Sequence, residues 1–448
     1  MCSPMRIVQV VHWFLPRHSS GAEVYTYQLA SALAQRHEVS IYCREDGHAV
    51  GANLCVRPPE ARFYEEDDVY RGLPVHRVYY NPPPGPTYLA RKALARFHNP
   101  RIEQSFAAYL DRVRPAVVHF QHLFKLSASL IAVAQGMGIP TVVTLHDYWF
   151  LCDNGQLLRP GLRVCTGPQG GLRCAGCAEA PLPSAIRPLL NPFLLPLFIY
   201  RTRALRRYLH RADAIIAPSA YLREAFMRHG FPPERILLCD HGTDTAWLPD
   251  VVHVLGCSSP AGQQLRFGYI GTIAPHKGLH VLLQAFRDLN AQNAELRVYG
   301  DLASDPSYTA ALQELVEGQA VYFMGPFAHE EIGRVLSELD LLVVPSVWPE
   351  NSPLTIHEAR AARLPVLASD VGGMSDLVRE GRAGWLFRAG DAEDLRRRLA
   401  EILQQPELLV QVRDEIRPVK GIEENAHELD ELYRRIVCAR GRRDGRYR

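Results

Sequence analysis

Glu350-Asn351-Ser352-Pro353-Leu354-Thr355-Ile356-His357-Glu358 is the stretch on which the reading of this chain turns. The apolar run Leu341–Pro345 before it predicts a buried strand, and Ser346–Asn351 the loop leaving that strand's carboxyl end. Ser352 has the chemistry of an N-cap, and Pro353 suits the first helical position, where a missing N–H costs nothing. Such a helix start offers free N–H groups and the positive end of its dipole to a phosphate. Glu350 precedes this anion site, and Glu358 lies beyond the cap by roughly 9 Å, at about 1.5 Å per residue. Two acids flanking a phosphate site could hold hydroxyls at opposite ends of a sugar diphosphate, so the shape predicts a nucleotide sugar.

A second phosphate-directed turn lies upstream. Leu265–Ile270 reads as a strand, followed by Gly271-Thr272-Ile273-Ala274-Pro275-His276-Lys277-Gly278 and the periodic apolar helix Leu279–Leu289. Strand, glycine turn, cation and helix in that order present backbone N–H groups and the Lys277 ammonium to a polyphosphate. The later Pro365-Val366-Leu367-Ala368-Ser369-Asp370-Val371-Gly372-Gly373 adds a further strand ending in glycines.

With these three loops in place, the chain resembles the retaining glycosyltransferases of family 4, whose fold is GT-B and whose signature is a Glu-x7-Glu pair in the C-terminal domain. The resemblance covers nearly the whole chain. Gly21-Ala22-Glu23, opening a helix that reads through Leu33, is similar to the family's N-terminal loop. Thr144-Leu145-His146-Asp147 resembles its strand ending in a histidine near the reaction centre. Ala214–Ser219 and His241-Gly242-Thr243-Asp244 resemble the segments that close its first domain.

The resemblance implies a donor site in which Glu350 contacts the sugar, Glu358 the ribose and Lys277 the diphosphate. Gly271, Thr272, Asn351, Ser352 and Leu354 belong to the same site. His146 would support the sugar from the other domain by donating a hydrogen bond, with Gly21, Ala22, Glu23 and Asp147 forming an acceptor or phosphate loop. It also implies transfer to a hydroxyl with retention of configuration, by front-face attack and without a catalytic cofactor. In one place the chain departs from the family, which usually has an arginine after the glycine corresponding to Gly271. Thr272 stands there instead, so Lys277 is expected to carry more of the phosphate charge, joined by a protonated His276.

Fifty Lys and Arg against 48 Asp and Glu leave a net charge of +2, and no overall field points to nucleic acid or an acidic partner. The N-terminus runs directly into the strand Ile7–Val11, without the pattern of a signal peptide. No apolar run reaches the roughly 20 residues of a membrane span; the nearest, Pro188–Tyr200, is broken by Asn191 and prolines. The expected location is the cytoplasm. Leu189–Arg211 combines apolar residues with Arg201, Arg203, Arg206, Arg207 and Arg211. It reads either as a long helix buried on one face or as a peripheral contact with the inner membrane face, where a lipid-linked acceptor would reside.

Strand-like runs alternate with helix patterns from end to end, the mark of α/β units with parallel sheets. The first half has Ile7–Val11, Val39–Cys43, Val75–Tyr79, Val117–Phe120, Thr141–Leu145, Ala214–Ala217 and Ile236–Cys239. The second has Arg266–Ile270, Leu296–Tyr299, Val321–Phe323, Leu341–Val344, Val366–Ala368 and Trp385–Phe387. The expected architecture is two Rossmann-like doubly wound domains facing across a cleft, with ligands at the carboxyl ends of the strands. We place the first domain at 1–247, a linker at 248–264, and the nucleotide-sugar domain at 265–418. A helix within 419–448, centred on Asn425–Val437 and followed by a basic tail, would cross back to the first domain, as in GT-B enzymes generally.

Cys152, Cys165, Cys174 and Cys177 fall in an insertion at 150–180, with the spacing C-x12-C-x8-C-x2-C. Four thiolates can close a tetrahedral structural zinc site, and the Cys-x2-Cys pair is the strongest part of that signal. Free thiols and an iron–sulfur centre stay open as alternatives. The expected function is transfer of a sugar from a nucleotide diphosphate to a saccharide or lipid-linked hydroxyl acceptor. A sugar-nucleotide epimerase and a non-catalytic nucleotide-sugar-binding protein are the alternatives.

Overall fold

The computed structural model describes residues 3–45, 63–80, 97–172, 174, 177, 187–248 and 264–443. The linker expected at 248–264 lies almost wholly outside them, as does the end of the basic tail.

The first half builds one sheet from β1 (Arg6–Val11), β2 (Glu38–Glu45), β3 (Phe63–Tyr70), β4 (Leu73–Tyr80), β5 (Val117–Phe120) and β6 (Thr141–Thr144). After a short hairpin, β7 (Leu158–Arg159) and β8 (Arg163–Val164), the sheet is completed by β9 (Ala214–Ala217) and β10 (Ile236–Leu238). The strand order is β10-β9-β6-β5-β1-β2-β4-β3, parallel except for the β3 edge. The second half builds β11 (Leu265–Ile270), β12 (Ala294–Tyr299), β13 (Val321–Gly325), β14 (Leu341–Val344), β15 (Val366–Ser369) and β16 (Gly384–Phe387). These lie in the order β13-β12-β11-β14-β15-β16, all parallel.

The physical reason is the same in both halves. β5, β6, β9, β14 and β15 are buried at every position, and short Val/Ile/Leu runs can be covered on both faces only when helices flank a parallel sheet. In the first half these helices are α1 (Gly21–Ala34), α2 (Pro100–Val113), α3 (Leu130–Gly136), α4 (Arg187–Arg211) and α5 (Ala220–Arg228). In the second they are α6 (Leu279–Leu289), α7 (Pro306–Leu315), α8 (Ile332–Ser337), α9 (Leu354–Ala361), α10 (Gly373–Gly381), α11 (Ala392–Gln404) and α12 (Glu407–Glu415). No helix among the described residues is long and apolar enough to cross a membrane.

The last helix, α13, runs Ile422–Arg443, longer at both ends than the Asn425–Val437 expected. It leaves the second half and packs on the first, where Ile422, Ala426, Leu429 and Tyr433 join the core of β1 and α1. Tyr433 OH pairs with His119 Nδ1 at 2.6 Å, and Tyr25 OH donates to Asn425 Oδ1 at 2.7 Å. The end of the first half pairs with the chain as it returns: Thr243 N donates to Lys420 O at 2.9 Å, and Ile422 N to Thr243 O at 3.0 Å.

Candidate active site

A cavity of about 780 Å³ lies where the carboxyl ends of the two sheets face each other. β11 and β14 are sheet neighbours, so the loops that follow them arrive side by side. Gly278 makes this possible: its φ is +73°, and a Cβ there would lie 1.9 Å from Pro345 O. Lys277 Nζ consequently donates to Glu350 Oε1 at 3.0 Å, and Ser346 Oγ donates to the same oxygen. The Trp348 ring lies 5.5 Å from the Lys277 ammonium. Gly271, Thr272, Asn351, Ser352, Leu354 and Glu358 line the same cavity.

Two local expectations are corrected. The helix α9 starts at Leu354, with Pro353 in the flanking position at φ −67° and ψ 122°. Ser352 is therefore not the N-cap; its Oγ pairs with His357 Nε2 at 2.7 Å instead. No side chain caps the helix, which leaves its first N–H groups for another acceptor. His276 is not a second cation. Burial, aided by the neighbouring Lys277 charge, holds its pKa down to about 4, so it is neutral at pH 7.

Glu358 is buried, and burial alone raises its carboxyl to about 7. His329 Nδ1 lies 3.7 Å away, and Gln28 Nε2 of α1 contacts His329 Nε2 at 3.2 Å across the cleft. Asn351 also spans the cleft: its Nδ2 donates to Leu145 O at 3.0 Å and His146 O at 3.3 Å, and its Oδ1 accepts from Ser219 Oγ at 2.6 Å. Tyr148 OH donates to Pro349 O at 2.8 Å.

From the first half, Gly21, Ala22, His146 and Asp147 line the cavity. Glu23 is not on its wall. It is fully buried, bonded by Ser20 Oγ and 3.5 Å from His12 Nε2. His146 is neutral, with its pKa lowered to about 3 by burial and then by His122. Its Nε2 donates to Gln121 Oε1 at 2.8 Å, so the other ring nitrogen, Nδ1, is an acceptor and not the donor expected. His122 Nε2 pairs with Asp147 Oδ2 at 3.0 Å. Burial pulls the His122 pKa down, but the Asp147 charge and hydrogen bond together with the Glu23 charge raise it overall.

His12, Trp13, His122, Phe124 and Trp149 complete this wall, and sequence reasoning singled out none of the first four. A signal was present, since His12-Trp13 follows β1 and Gln121-His122 follows β5, both at the carboxyl ends where ligands bind. The four cysteines of the insertion lie around a separate, smaller cavity. On α4, Arg201 turns inward to Trp149 O at 2.7 Å, while Arg203, Arg206 and Arg207 are exposed.

Residues 19–247 match the family model of Glycosyltransferase Family 4, and residues 258–418 that of Glycosyl transferases group 1. The amylovoran biosynthesis glycosyltransferase AmsK of Erwinia amylovora is 29% identical over 260 residues, covering 55% of this chain and 57% of that protein. A D-inositol 3-phosphate glycosyltransferase of Nocardioides sp. is 34% identical over 143 residues, covering 28% of this chain and 31% of that protein. The chain thus spans between about a third and just over half the length of these curated relatives. Among solved structures, sucrose-phosphate synthase from Thermosynechococcus elongatus has a TM-score of 0.65 at 20% identity, covering 97% of this chain and 100% of that one. Anabaena HepE in complex with UDP and glucose has a TM-score of 0.64 at 17% identity, covering 96% and 99%. At such identities the likeness is one of fold, and the fold is GT-B. Both halves match in their expected order, and with them the chain belongs to glycosyltransferase family 4.

Proposed function

We propose that this protein is a retaining glycosyltransferase that moves a sugar from a nucleotide diphosphate to a hydroxyl acceptor. The observation that carries this reading is the convergence of Lys277, Glu350 and Glu358 with the uncapped start of α9 in one cavity. The diphosphate lies against the Lys277 ammonium and the α9 N–H groups. Its arrival draws Lys277 from Glu350 and frees that carboxylate to accept from a sugar hydroxyl. Glu358 accepts from the ribose hydroxyls. In the transfer, the bond from C1 to the phosphate oxygen breaks and its electrons go to the leaving phosphate, where the same cation and amides stabilise the developing charge. The acceptor oxygen bonds C1 on that face and passes its proton to the leaving phosphate. Neutral His146 accepts from a sugar hydroxyl through Nδ1, and this sequence of steps calls on no cofactor.

UDP-sugars stand first among donors to try, because HepE is a protein of this fold solved with UDP-glucose. The name of AmsK, an amylovoran biosynthesis enzyme, favours a saccharide or lipid-linked saccharide acceptor. The exposed arginines of α4 suit a peripheral contact at the cytoplasmic membrane face. The test is a thermal-shift screen of UDP-, GDP- and ADP-sugars on wild type and Lys277→Ala. One nucleotide class should stabilise the wild type, by about 2.7 kcal/mol at a hundredfold excess over Kd, and not the variant. Folded wild type that responds to no donor would refute the reading.

A further inference from the structure

Cys152, Cys165, Cys174 and Cys177 line one cavity of about 20 Å³ beside the main cleft, room for a single atom-sized guest. The surrounding chain aims donors at the sulfurs. The backbone N–H groups of Asn154 and Leu157 point to Cys152, and that of Gly167 donates to Cys165 Sγ at 3.4 Å. For Asn154 and Gly167 it is the amide two residues after a cysteine that turns back onto its sulfur. Gly167 does so at φ +119°, which few other residues adopt. Two cations join these amides: the Arg159 guanidinium bonds Cys165 and lies near Cys177, and Arg201 lies near Cys152 and Cys174. A thiolate gains from such donors far more than a neutral thiol does.

Four thiolates lining one cavity repel one another, and a divalent cation among them offsets that charge. Among the described residues, no three His, Cys, Asp or Glu side chains are already gathered as a metal-binding group. A site closed on the four sulfurs would therefore need them to draw together.

We propose that this loop is a closed structural zinc site with the four cysteines as its ligands. Each thiol releases its proton to solvent and gives a sulfur lone pair to Zn²⁺, with no change of oxidation state. The resulting net charge, two plus against four minus, lies beside Arg159 and beside Arg201, which also pairs with Asp153 at 3.0 Å. Sulfur fills all four positions, so the metal binds no substrate and acts through the loop it fastens. That loop reaches the cleft: Gly155 N donates to Cys152 O at 3.1 Å, Tyr148 N donates to Gly155 O at 3.0 Å, and Gly155 packs on the Asp147 carboxylate. The zinc would hold Asp147 in place on the acceptor side of the cavity.

The test is elemental analysis of the full chain purified without chelators, with cobalt(II) replacement as a second readout. We expect one zinc per chain, released when a mercurial caps the thiols, and the intense visible bands of a tetrahedral tetrathiolate in the cobalt form. Cys165→Ser combined with Cys177→Ser should lose the zinc, and Cys438→Ser, at an exposed cysteine, should keep it. Folded wild type without zinc overturns the proposal, as does zinc that survives the double substitution, or iron with acid-labile sulfide. If the double variant does not fold, the wild-type cobalt spectrum still decides the ligand set.

Discussion

Glu358 carries opposing demands in one carboxyl group. Its ordinary value of 4.5 is raised by burial to about 7, so between those values the folded chain holds a proton that the unfolded chain has lost. Stability is therefore full below about 4.5 and falls as pH rises through 7, by on the order of 3 kcal/mol. Recognition of a ribose asks for the ionised form, which appears only toward the upper end of that window. Glu358→Gln should remove this slope, so denaturant unfolding at pH 5 and pH 8 should show the variant gaining on wild type at pH 8. Equal gains at both values would acquit Glu358. His119 and His146 work in the other direction, since burial holds both at about 3. Their contribution is complete above 6.5 and is lost as pH falls toward 3.

At the scale of elements, the loop that carries Glu350 is clamped from behind by the start of α10. Gly373 N donates to Glu350 O at 2.7 Å, and a Cβ on Gly373 would lie 1.7 Å from Asn351 O. Gly373→Ala must therefore move the Glu350–Asn351 loop. We expect a loss of about 1–3 kcal/mol in stability and at least about a tenfold loss of nucleotide-sugar affinity in a folded protein; unchanged affinity by calorimetry would contradict this. The apolar strands of both sheets were legible in the sequence because runs buried on both faces leave no ambiguity of side. β3 was not, since Glu65, Glu66, Asp67 and Asp68 carry no apolar strand pattern; they form an antiparallel edge where Arg112 and Arg77 pair with Asp67 and Asp68. In the site, Lys277, Glu350 and Glu358 were legible because each follows a recognisable strand. The Gln121–His146 and His122–Asp147 pairs were not, because a partner 25 residues away becomes a neighbour only when β5 and β6 pair.

Across the whole molecule, the two halves are bonded at both ends of the cleft. On the ligand side lie the Asn351, Tyr148 and Gln28 contacts, together with the Arg71–Glu330 ion pair. At the back, Thr243 pairs with the returning chain at Gly421. Gly242 is tightly enclosed there: a Cβ would lie 2.7 Å from Asn425 Cβ, Gly421 O and Ile422 Cα. Gly242→Ala should destabilise the fold by about 1–3 kcal/mol and wedge the halves apart, read as an increased radius of gyration in X-ray scattering. An unchanged radius and melting temperature would show that the junction yields freely. Because Thr243 and the returning chain pair behind the cleft, a rotation of the halves about that junction would carry the ligand groups at the far end of the lever. Donor and acceptor would then share one closing step, whose free energy the first ligand meets on behalf of the second. Such sharing makes their affinities mutually reinforcing even without direct contact between them.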